Sequence, residues 1–122
     1  MSAPTPVTRH LVEMMASAPR GPKREGLFAL WLTVRVLEGF DQPNPLSDRG
    51  SRRRVGLLER RLSSLTLSPP LRRGLGATIA VLTDEPGSCD VANLLGQLVG
   101  PTREALGPEP AEALQKAARA RR

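Results

Sequence analysis

Along this 122-residue chain, apolar residues recur at intervals of three and four, in stretches separated by proline, glycine and short polar runs. That spacing puts side chains on one face of an α-helix. Val7, Leu11, Met14 and Met15 give a first helix over 6–17, which Pro19 ends. The second, over 22–38, carries Leu27, Phe28, Leu30, Trp31, Leu32, Val34, Val36 and Leu37, apolar on nearly every side. A helix of that kind belongs in the middle of a bundle, with its three aromatics, Phe28, Trp31 and nearby Phe40, expected in the core. Gly39 is placed as its C′ residue, and the proline-bearing stretch 41–46 cannot continue it.

The third helix, over 47–65, is the most amphipathic, with Val55, Leu58, Leu62 and Leu65 on one stripe. A fourth, over 69–83, turns Leu71, Leu75, Thr78, Ile79 and Leu82 inward and stops at the run 84–87. Gly74 and Gly76 each weaken it by about 1 kcal/mol relative to alanine, and close contact with another helix is the expected reason for them. The fifth runs over 89–99, capped by Ser88, with Val91, Leu94, Leu95, Leu98 and Val99 inward. Gly100-Pro101 should break or kink it, leaving a short turn of helix over 102–106. A last helix from 109 or 110 to 120 has only Ala113, Leu114, Ala117 and Ala118 to bury.

The twelve prolines act as punctuation. Proline suits the first helical position, where its missing N–H costs nothing. Thr5-Pro6 and Ser68-Pro69 read as a cap followed by that position, and Pro22, Pro101 and Pro110 also precede apolar-periodic stretches. No internal repeat emerges, so the expected fold is all-α: a single compact bundle of five to six short helices, one domain over 1–122 with 1–4 and 120–122 frayed. The lack of tyrosine and the abundance of Leu and Ala argue against a β-sandwich.

Charge then adds a surface to this architecture. Eighteen basic residues, all but two of them arginine, face twelve acidic ones and leave a net charge of +6. The excess is local: residues 48–73 hold eight arginines against Asp48 and Glu59, and the rest of the chain is balanced. At about 100° per residue, Arg49, Arg52, Arg53 and Arg60 fall on the side of the third helix opposite Leu58. Arg54 and Arg61 flank the apolar stripe, where they can lay methylenes over apolar neighbours. Arg72 and Arg73 extend the face if the fourth helix folds back beside the third. Arginine makes bidentate contacts with carboxylates and phosphates. The partner-binding candidates are therefore Arg49, Arg52, Arg53, Arg60, Arg72 and Arg73, and an acidic protein surface is the expected partner. The alternative is a small nucleic-acid-binding protein that uses the same arginines on phosphates; a biased codon pool with solvated arginines is the bland account. Nucleic acid ranks second because single-strand binders stack bases on exposed aromatics. A helix-turn-helix reading of the third and fourth helices finds few base-reading side chains at the start Pro69-Pro70-Leu71.

Other chemistry is sparse. Cys89, the one cysteine, has no internal disulfide partner, in keeping with a reducing compartment. One Cys and one His cannot make the usual zinc site, so no metal or cofactor is expected. Cys89 lies near a helix start that can activate a thiol, but a catalytic cysteine needs a base, and nothing places His10 beside it. Asp84, Glu85 and Asp90 suit a helix start without catalysis. Gly74-Leu75-Gly76 lacks the strand-to-helix context and the lysine of a phosphate loop. The chain is read as non-enzymatic. The uncharged run 26–34 is far short of the roughly 20 residues that span a bilayer. The opening Met1-Ser2-Ala3-Pro4-Thr5 lacks the pattern of a secretory signal, and a cytoplasmic location is expected. Leu11, Met14 and Met15, with the apolar second helix, are candidates for a homo-oligomer interface as well as for core. The basic end Lys116, Arg119, Arg121 and Arg122 complements a helix dipole.

Overall fold

Residues 5–40, 48–84 and 90–121 are described by the computed structural model, and every regular element among them is a helix. In chain order these are α1 (Pro6–Ser17), α2 (Pro22–Gly39), α3 (Asp48–Ser63), α4 (Pro69–Asp84), α5 (Val91–Leu106) and α6 (Pro108–Ala120). The expected ends at 1–4 and 122, the stretch 41–46, and the residues Glu85, Pro86, Gly87, Ser88 and Cys89 lie outside the described residues.

Prolines begin four of these helices, at Pro6, Pro22, Pro69 and Pro108. Thr5 caps α1, its hydroxyl accepting from the Thr8 N–H at 3.4 Å. The connections α1–α2 and α5–α6 each turn on a glycine with positive φ, Gly21 at 150° and Gly107 at 95°, directly before the proline that opens the next helix. Glycine tolerates that backbone because it has no Cβ.

Three local expectations are corrected. The fifth helix begins at Val91 and not at Cys89: Asp90 is its cap, its carboxylate accepting from the Asn93 N–H at 3.0 Å. Pro101 does not break it, since α5 continues through Pro101 to Leu106. The proline removes one intrahelical donor, but its ring packs against Gly74 of α4, and that tertiary contact holds the segment helical. Gly39 is not a C′ residue; it is the last residue of α2, followed by Phe40 in a right-handed conformation.

Leucine dominates the core. Leu11, Leu27, Leu30, Leu37, Leu71, Leu75, Leu82, Leu95, Leu98 and Leu114 are all essentially sealed from solvent, and they come from five of the helices. The sixth, α3, adds Val55, Leu58 and Leu62. As expected, α2 is central, packing against α1, α3, α4 and α5, while α5 and α6 form a closely packed pair and α1 also meets α6. Small side chains allow that last pairing: α6 buries Pro110, Ala111, Leu114 and Ala118, with Ala113 and Ala117 half-buried. Of the candidate oligomer surface on α1, Leu11 is fully buried and Met14 and Met15 are half-buried against the core.

Candidate functional site

The inward side of α3 is set by Ser51, Val55, Leu58 and Leu62, spaced four, three and four residues apart and all buried. That spacing fixes the outward side, and Arg49, Arg52, Arg53 and Arg60 are all exposed on it. Arg54 and Arg61, expected at the edge, are exposed as well, yet their guanidinium groups reach across to α2. The Arg61 guanidinium carbon lies 5.8 Å from the centroid of the Phe28 ring, a cation–π contact. Arg54 Nη1 comes within 2.8 Å of where a Cβ on Gly39 would stand, so the bare glycine makes room for it. These two contacts pair 54 with 39 and 61 with 28, which runs α3 antiparallel to α2.

The aromatics of α2 are not sealed in the core, although Trp31 packs against its edge. Phe28 and Trp31 are half-buried, as is Phe40. The buried side of α2 belongs to Gly26, Leu27, Ala29, Leu30, Thr33, Val34 and Leu37. Residues 24, 28, 31 and 35 fall opposite, at four-, three- and four-residue spacing, and form an outer stripe of two aromatics flanked by arginines. The rings of Phe28 and Trp31 stack with centroids 6.0 Å apart and planes 20° from parallel. Arg35 lies over Trp31 at 5.5 Å. Each ring thus has an arginine against one face. The arginines at 24 and 35, sharing that periodicity, were the sequence signal that this side of α2 faces water.

A second residue escaped the periodicity argument. Leu57 is 54% exposed, the most exposed large hydrophobic side chain among the described residues. It stands four residues from both Arg53 and Arg61, off the stripe of Val55, Leu58 and Leu62. An apolar residue out of phase with its own helix's stripe was the signal available.

The remaining two predicted site residues are divided. In α4, Leu71, Leu75, Thr78 and Leu82 are buried, and both Arg72 and Arg73 are exposed. Arg73 lines a groove of about 560 Å³ between α4 and α5, with Pro70, Gln97, Gly100 and Glu104. Arg72 lies on the flank of α4 that carries the half-buried Ile79, and α4 packs directly against α3. Arg73 therefore belongs to the α4–α5 side rather than to the face of α3. Of the two glycines expected to serve close contact, Gly74 does so, but Gly76 has open space around it.

Elsewhere, a cleft of about 550 Å³ lies between α1, the end of α2 and α6, walled by Val7, Ala113 and Ala117 with Glu38, Lys116 and Arg121 at its edge. Two of its charges are paired, Arg121 Nη2 donating to Glu38 Oε2 at 3.3 Å. His10 sits 3.3 Å from Glu109 and 3.9 Å from Glu13. Among the described residues no group of three His, Cys, Asp or Glu is placed to hold a metal ion, and no helix is long and apolar enough to cross a membrane. Comparison with family models, curated proteins and solved structures finds no match to this chain.

Proposed function

We propose that this protein is a non-enzymatic helical interaction module, an adaptor, regulator or small subunit of a larger assembly working in the cytoplasm, that binds an acidic protein surface. The observation that carries this reading is the state of the arginines. Arg49, Arg52, Arg53, Arg60 and Arg72 are exposed, and none forms an ion pair with a described residue, whereas Arg121 and His10 both have carboxylate neighbours. Five guanidinium groups held on packed helices, without carboxylate partners among the described residues, form a site for carboxylates from elsewhere. Arg73, on the α4–α5 side, is a separate contact for the same partner or for none.

A second reading, binding to the phosphates of a nucleic acid, gains support from the half-buried aromatics on the outer side of α2. It ranks lower because Arg35 and Arg61 already cover ring faces on which a base would stack. Copurification from the native host, repeated with Arg52, Arg53 and Arg60 changed together to Glu, tests the first reading. One defined acidic partner should be recovered with the native chain and lost with the variant. Retention by the triple variant refutes the arginine face. A mobility shift with arbitrary DNA that weakens steeply and linearly in log K against log salt favours the second reading.

A further inference from the structure

The arginine face of α3 is continuous with an apolar strip on α2, and the two together describe a partner more narrowly than charge does. The contacts of Arg54 with Gly39 and of Arg61 with Phe28 lie at the two ends of a shallow antiparallel seam between α3 and α2. Leu57, between those two arginines on the same flank of α3, falls alongside the middle of that stretch of α2, where Trp31, Leu32 and Arg35 stand. By this register Leu57, Phe28 and Trp31 lie along the seam, with Arg35 and Arg61 over the two rings.

We propose that this seam is the docking site for an acidic amphipathic helix. The partner seats an apolar stripe on Leu57, Phe28 and Trp31 and pairs its flanking carboxylates with Arg35, Arg53, Arg60 and Arg61. This rests on the acidic-partner reading above and adds to it the apolar half of the recognition. A purely charged partner leaves Leu57 exposed in the complex with no role. A second copy of this chain is disfavoured, since two such faces would bring arginine against arginine. Base stacking and insertion into a bilayer both call for free aromatic faces or projecting rings. Here the rings are half-buried, stacked on one another and covered by guanidinium groups. A helix laid along the seam needs only their edges and the leucine, the helix-in-groove mode of recognition.

Trp31 is the only tryptophan and lies in the seam, so its fluorescence reports occupancy directly. The probes are a synthetic helical peptide with leucines at i, i+3, i+4 and i+7 and glutamates elsewhere, a scrambled peptide of the same composition, and polyglutamate. The amphipathic peptide should shift Trp31 emission to the blue and bind at least about tenfold more tightly than the scrambled one. Leu57→Ser should remove about tenfold of that affinity, since it deletes an anchor. Val81→Ser, on another exposed hydrophobic residue, in α4 at 41% exposure, should leave it unchanged. Equal binding of scrambled and amphipathic peptides, or an unaltered Leu57→Ser, overturns the seam while leaving the acidic-partner reading intact if both peptides are lost on Arg53→Glu/Arg60→Glu. Failure of all three acidic probes overturns both. Binding confined to oligo(dT) or to phosphatidylserine vesicles also overturns both.

Discussion

Gly74 of α4 lies so close to Pro101 of α5 that a Cβ on the glycine would come within 2.8 Å of the proline Cβ and 2.9 Å of its Cγ. The two residues explain each other. A proline within a helix leaves a gap in the hydrogen-bond ladder and a bulky ring on its surface, and the glycine supplies the hollow into which that ring fits.

Because the pyrrolidine ring cannot swing aside, Gly74→Ala should destabilise the fold by about 1 to 3 kcal/mol. Gly76→Ala, two residues along the same helix with nothing within 4 Å of its new methyl, should stabilise it by about 0.5 to 1 kcal/mol. Opposite shifts in the urea midpoint of the two variants are the check. Equal shifts would mean that the α4–α5 contact does not constrain position 74.

Thr102 follows that proline, and its hydroxyl is fully buried with no hydrogen-bond partner among the described residues. Thr102→Val keeps the shape and removes the unsatisfied group, so it should stabilise the protein by about 1 kcal/mol. Thr33→Val makes the same change where the hydroxyl donates to the Ala29 carbonyl at 2.9 Å, and should gain less. Thermal unfolding of the two variants side by side distinguishes them.

The α6 end is tied to the end of α2 by Arg121 and Glu38, whose side chains are 25% and 13% exposed. Screening is weaker for such a pair than for one in open solvent. Glu38→Gln should cost about 1 to 2 kcal/mol, between the surface and the buried cases, and the loss should persist at high salt. His10→Ala, which removes a more exposed neighbour of Glu109, should cost less than about 1 kcal/mol.

Within α3, Arg49 and Arg53 stand four residues apart with like charge. Arg53→Glu replaces that repulsion with an attraction and should raise stability by a few tenths of a kcal/mol, roughly 0.2 to 0.5, at low ionic strength. The gain should fade as salt is added. A protein that is stabilised by the change yet loses acidic ligands would place the residue in binding rather than in folding.

The periodicity of apolar side chains was enough to place helices in the regions of all six, although it divided α5 at Gly100-Pro101, because the spacing of apolar side chains on a helix is a local property of the chain. The starts at Pro6, Pro22 and Pro69 were legible for the same reason: a proline's constraint acts on its own turn. The arginine excess in 48–73 and its outward placement on α3 also followed from spacing alone. Tertiary structure decided what depends on residues far apart in the chain. Pro101 reads as a helix breaker until Gly74 is beside it, and Gly74 and Gly76 look alike until only one meets a neighbour. Phe28 and Trp31 read as core because α2 is apolar nearly all round; packing on several sides selected the face of Leu27, Leu30, Val34 and Leu37 and left the rings half-buried beside it. The sequence by itself determined where the positive charge lies. Only the approach of α3 to α2 placed it next to the half-buried aromatic side chains of α2, because hydrophobic burial is satisfied by whichever faces meet, and which faces meet is set by the whole bundle.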